Sequence, residues 1–187
     1  MEARGARREL VTAAFAATVL VAQQVASKAA RDTLFLASFD AERLPLAIAG
    51  GAVLSLLAAL AMGRALASYG PRPVVPVALG LNALLYVVEW AAHRRAPEVV
   101  AVALYLHVAA VGTVLVSAFW SLVRESSDPH RAKRFVAKVA AGATFGGILG
   151  GLVTTLVARV TELSATFLVL AVANLVVAAL LARGPSS

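Results

Sequence analysis

The sequence predicts an all-α, polytopic membrane protein: a single domain of six transmembrane helices. Three observations carry that prediction. Of the 187 residues, 60% are hydrophobic and 14% charged, with a mean hydropathy of +0.84, more apolar surface than a soluble domain of this length can bury. The apolar residues fall into six stretches, each close to the roughly 20 residues a helix needs to cross a bilayer core. Short connections separate them, marked by charge and by Gly70-Pro71, His93 to Pro97, Asp128-Pro129 and Gly184-Pro185.

The elements follow in order. The opening MEARGARREL and the apolar run behind it imitate a secretory signal, but the run outlasts a signal and five spans follow, so it reads as a first transmembrane helix over about 9–37. The other spans are expected over about 45–68, 73–92, 98–123, 134–158 and 164–182. No linker or low-complexity segment divides the chain. Cysteine is absent, which excludes disulfides and thiolate metal sites, and His93, His107 and His130 have no metal-ligand spacing. No catalytic constellation is present, and nothing implies an enzyme or a cofactor.

The net charge of +7 suits a cytoplasmic excess of Lys and Arg better than nucleic-acid binding. With both termini inside, the cytoplasmic segments hold Arg4, Arg7, Arg8, Arg64, Arg72, Arg124, Arg131, Lys133, Arg134 and Arg183. The outer loops hold only Arg43, Arg94, Arg95 and Arg159. Both termini are therefore expected in the cytoplasm.

Three charges sit inside the first span. At 100° per residue, Gln24, Lys28, Arg31 and Phe35 share one helix face, with Asp32 at its edge. Cations facing lipid cost about 2.5–3.5 kcal/mol each near a helix centre, so Lys28 and Arg31 either line a polar path or snorkel to the headgroups while Asp32 pairs with Lys28. In the first reading Lys28 and Arg31 bind an anion, phosphate above all, Gln24 orients it and Asp32 holds the cations apart. Phe35 either stacks on a base or faces lipid.

Span 5 reads AGATFGGILGGL, a ladder of Gly142, Gly146, Gly147, Gly150 and Gly151 that clears one helix face for a close neighbour. Tight packing explains it, as does a gating role. The ladder resembles the fifth-helix motif of major-facilitator antiporters, with Gly147 where that motif has proline. The turn GRALASYGPRP resembles the superfamily's loop motif at Gly63, Gly70 and Arg72, while Ala67 and Ser68 replace its aspartate and first basic residue.

A narrower resemblance follows from RDTL at 31–34, AERLP at 41–45 and AKRF at 132–135. These strings, in this order, are similar to signatures of the ATP/ADP antiporters of plastids and intracellular bacteria and of their bacterial relatives. The resemblance implies half of a major-facilitator fold with a 3+3 inverted repeat. It also implies antiport of an anionic, phosphorylated solute such as a nucleotide, with Arg31 at the position of a recognition lysine, and Glu42 belongs to its second string. Such transporters have about twelve helices, so this chain supplies one wall of a path and is expected to act as a homodimer or with a second half. The expected setting is the lipid bilayer of a bacterial inner membrane. A non-transporting membrane module that anchors or senses for a partner is the alternative.

Secondary candidates remain. Arg124, Glu125, Arg131, Lys133 and Arg134 around the fourth connection form either a cytoplasmic latch or a lipid contact. Glu89 is a proton or cation site unless Arg94 or Arg95 neutralises it, the reading preferred from sequence. His107 either lines a cavity with Thr113, Ser117 and Arg124 or packs through hydrogen bonds, and Asn82 and Asn174 suit interhelical hydrogen bonding.

Overall fold

Leucine, alanine and valine dominate every stretch, and a backbone in hydrocarbon must satisfy its own hydrogen bonds, so the apolar runs wind into helices. The computed structural model describes residues 2–125, 132–160 and 163–183. In chain order the helices are α1 (Glu2–Ser38), α2 (Leu44–Tyr69), α3 (Pro71–His93), α4 (Pro97–Glu125), α5 (Ala132–Val160) and α6 (Leu163–Ala182), with a 3-10 turn, Ala41–Arg43, ahead of α2. All six are long and apolar enough to cross a membrane. Their bounds match the expected spans within about two residues, except that α1 continues through the charged N-terminal segment.

Local chemistry sets the ends. Pro45 and Pro71 stand in the first turns of α2 and α3, where a missing N–H costs nothing. Between α2 and α3 the chain reverses on Gly70 alone, at φ 76° and ψ 163°, a region essentially reserved for glycine.

The most extensive pairings are α1 with α5, α3 with α6 and α2 with α4, followed by α1 with α4, α3 with α4 and α1 with α6. They describe two layers: a row α5–α1–α4–α2, backed by α6 and α3. Little of α2 is buried. The core divides into two apolar clusters. One gathers Leu20, Leu79, Leu115, Phe119, Val139 and Val177; the other gathers Leu34, Tyr86, Leu104, Val108, Phe167 and Leu170.

Glycine makes the outer seams of the row close. A Cβ at Gly142, Gly146 or Gly150 of α5 would stand 2.8, 2.2 or 2.4 Å from the carbonyl oxygens of Ala14, Thr18 and Ala22 of α1. One four-residue repeat thus lies backbone to backbone on another. Thr18 Oγ1 bridges the seam, reaching Ala14 O and Gly142 O at 2.9 Å each. Two members of the expected ladder lie outside this contact. Gly147 would meet only Val21, at an ordinary 3.9 Å, and Gly151 would meet nothing within 4 Å, because one step round the helix turns them off the α1 face. The α2–α4 seam has its own close approach, where a Cβ on Gly51 would stand 2.8 Å from that of Ala109.

Candidate functional site

Two polar features interrupt the apolar bundle: a groove over α4 and a layer between the core clusters. The groove runs between α1, α2 and α4. Lys28 and Arg31 enter it from α1, Gly51 and Ser55 from α2, and Tyr105 and Thr113 from α4, around a volume of about 450 Å³. None of its lining comes from α3, α5 or α6.

Within it Lys28 is exposed and Arg31 half-buried. The Arg31 guanidinium lies 4.6 Å from the centre of the Tyr105 ring and donates through Nε to Asp32 Oδ1 at 2.9 Å. Asp32 therefore pairs with its neighbour Arg31 rather than with Lys28 one turn back, and it fixes one cation instead of separating two. Lys28 is left as the cation facing the groove without an ion pair among the described residues. Gln24 sits beside the groove, in the α1–α4 seam, where a Cβ on Gly112 would be 2.6 Å from its Oε1. Phe35 takes neither expected place: it is buried, with its ring centre 5.0 Å from that of Tyr105 and 5.1 Å from that of Phe39.

The second feature joins α1, α3, α4 and α6. Asn174 Nδ2 donates to Leu170 O at 2.8 Å and to Gln23 Oε1. Asn174 Oδ1 accepts from Asn82 Nδ2 at 2.9 Å and from Gln23 Nε2 at 3.3 Å. Asn82 Oδ1 meets His107 Nε2 at 2.7 Å, and His107 Nδ1 meets Glu89 Oε1 at 2.9 Å. All five side chains are almost wholly buried. In an apolar bundle each such side chain must find a partner within the protein, and this chain of amides, ring and carboxyl gives every one of them at least one.

The layer corrects one expectation. Glu89 is partnered by His107, not by Arg94 or Arg95, which lie past the end of α3 and are exposed. His107 faces α3 rather than the groove. Gln23 was not singled out from the sequence; the signal was the pair Gln23-Gln24, whose members point 100° apart, one into the layer and one toward α4. Gly50 and Gly51, adjacent in the middle of an apolar span, were a similar signal of close packing.

At the opposite end of the bundle, Arg124 and Glu125 close α4 and Lys133 and Arg134 open α5, all exposed. No ion pair joins them among the described residues, and Arg131 lies outside those residues. Glu42 is exposed in the 3-10 turn. Asn82 and Asn174 do bond across helices. Groups of His, Asp or Glu arranged to hold a metal are absent among the described residues. No protein-family description, curated protein or solved structure matches the chain.

Proposed function

We propose that the chain is one half of an alternating-access transporter for an anionic, phosphorylated solute such as a nucleotide, completed by a second copy of itself. The observation that carries this reading is the groove, with its unpaired Lys28, its Arg31 guanidinium 4.6 Å from the centre of the Tyr105 ring, and hydroxyls from Ser55 and Thr113. Phosphate suits such a set: a point charge, a planar fork and neutral donors. Asp32 orients the fork while leaving the outer guanidinium nitrogens to a ligand.

The order of the helices supports the same reading. Exchanging α1, α2 and α3 for α4, α5 and α6 carries the six most extensive pairings onto one another: α1·α5 becomes α4·α2, α1·α6 becomes α4·α3, and α3·α6 and α1·α4 return to themselves. Three spans reverse the chain's direction, so the two triplets run inverted, as in half of a major-facilitator fold. The groove lies on the row of four helices, away from α3 and α6, where a second half would face it.

The test is exchange of labelled nucleotide or phosphate ester in proteoliposomes, comparing the wild-type chain with Lys28→Ala and Arg31→Ala. Loss of a charge-assisted contact worth about 1.5–3 kcal/mol predicts a drop of about 10- to 100-fold in apparent affinity. Unchanged exchange in both variants removes the groove as the site. One observation favours a second reading, a non-transporting module that docks a partner: Arg31 is already neutralised by Asp32. Absence of exchange in the wild-type chain selects that reading.

A further inference from the structure

The polar layer does more than tie helices together, because its hydrogen bonds determine where protons lie. Leu170 O can only accept, so the atom of Asn174 facing it is Nδ2, and Oδ1 is turned toward Asn82. Asn82 must then donate through Nδ2, which presents its Oδ1 to His107. An amide oxygen only accepts, so His107 Nε2 carries a hydrogen in every protonation state. The variable proton is on Nδ1, 2.9 Å from Glu89 Oε1. A single proton shared there leaves the pair neutral, either as carboxylic acid and imidazole or as carboxylate and imidazolium.

Two buried atoms remain without a hydrogen-bond partner among the described residues: Glu89 Oε2 and His93 Nδ1. They belong to residues four apart on α3, neighbours on one helix face with about 5–6 Å between Cβ atoms. His93 is in the last turn of α3, its ring centre 6.0 Å from that of Phe167 near the start of α6. It therefore stands between Glu89 and the end of the bundle.

From this arrangement we infer that Glu89 and His107 form a proton-binding site within the bundle, filled from that end by way of His93. The incoming proton, taken from water, binds Glu89 Oε2. The shared proton then resides on His107 Nδ1, and Oε1, now the carbonyl oxygen of a carboxylic acid, accepts from it. One proton enters, no other bond changes partners, and the charge of the pair rises from 0 to +1. The groups facing the pair are Tyr86 and Asn82 of α3, and beyond Asn82 the amides Asn174 of α6 and Gln23 of α1. Only Tyr86 among these titrates; its ring lies 4.8 Å from that of His107. The site stands apart from the anion groove and does not depend on what that groove carries.

The experiment is infrared difference spectroscopy of the full chain in nanodiscs, titrated between about pH 5 and 8. A carboxylic-acid band that grows or shifts in frequency toward low pH and is absent in Glu89→Gln, a variant able to keep the bond to His107 Nδ1, is the expected result. A titration identical in wild type and Glu89→Gln overturns the site. If Glu89→Gln does not fold, spectra of the wild-type chain with 15N-histidine read the same event. A ring that keeps its Nε2 hydrogen while Nδ1 changes from bare or shared to fully protonated, and whose signal is lost in His107→Gln, supports the site; a titrating set of signals identical in wild type and His107→Gln overturns it. His93→Phe should leave the amplitude of the Glu89 band intact and slow its rise after a pH jump at least tenfold; an unchanged rate overturns entry through His93.

Discussion

Asn174 serves three helices with one side chain. It satisfies Gln23 of α1, Asn82 of α3 and a carbonyl of its own helix, so its loss strands two buried amides at once. Asn174→Leu is expected to destabilise the fold by about 1–3 kcal/mol, seen as a lower melting temperature in detergent or nanodiscs. Asn82→Leu combined with Asn174→Leu should cost less than the sum of the two, because each single change leaves the other partner unpaired. Gly70 is special for a different reason. Its positive φ makes Gly70→Ala a backbone problem even though the space around it is open; about 1–3 kcal/mol is expected from strain alone, measured in the same melting experiment.

Among the elements, α5 offers an internal control, because its glycines differ in what they face. Gly146→Ala would place a methyl 2.2 Å from Thr18 O, which α1 and α5 can relieve only by moving apart, at a cost of about 1–3 kcal/mol. Gly151→Ala meets nothing and should change stability by less than about 0.5 kcal/mol. Thermal unfolding of the two variants side by side decides whether the seam contributes as described. Helix positions were legible in the sequence because apolar length and Gly-Pro punctuation are local properties. The seam was legible only as a stripe of five glycines; which three touch α1 depends on the rotation of α5, and that is set by Ala14, Thr18 and Ala22 more than a hundred residues away. The partner of Glu89 was hidden for the same reason. Arg94 and Arg95 are nearer in sequence, yet they lie beyond the helix end, while His107 comes back antiparallel on α4 to the level of Glu89.

For the molecule as a whole, the groove is the unfinished part. Its cations, hydroxyls and aromatic ring all come from one side, α1, α2 and α4, and on the proposed function an anion passing through it needs an opposite wall. Measured at several protein-to-disc ratios, the mass of the purified chain in nanodiscs is expected to be that of a dimer. A monomer at every ratio assigns the opposite wall to a different chain. The six-helix membrane architecture was legible from composition and spacing. The groove was legible in part: Lys28 and Arg31 were named for it, whereas Tyr105, whose ring the Arg31 guanidinium approaches to 4.6 Å, has no sequence signature that links it to α1.

The Glu89–His107 contact also bears on how the chain enters the membrane. Emerging alone, α3 would carry an acidic side chain and an asparagine into lipid, a poor substrate for insertion. The connection to α4 is only three residues long, and α4 brings His107 to both of them. A helical hairpin that forms at the translocon before either arm meets lipid resolves the difficulty, since each arm masks the polar groups of the other. Ribosome-stalled intermediates ending shortly after α3 should therefore stay accessible to water, and those extended through α4 should become sealed in the bilayer. The expected unit of membrane insertion is thus the pair of helices.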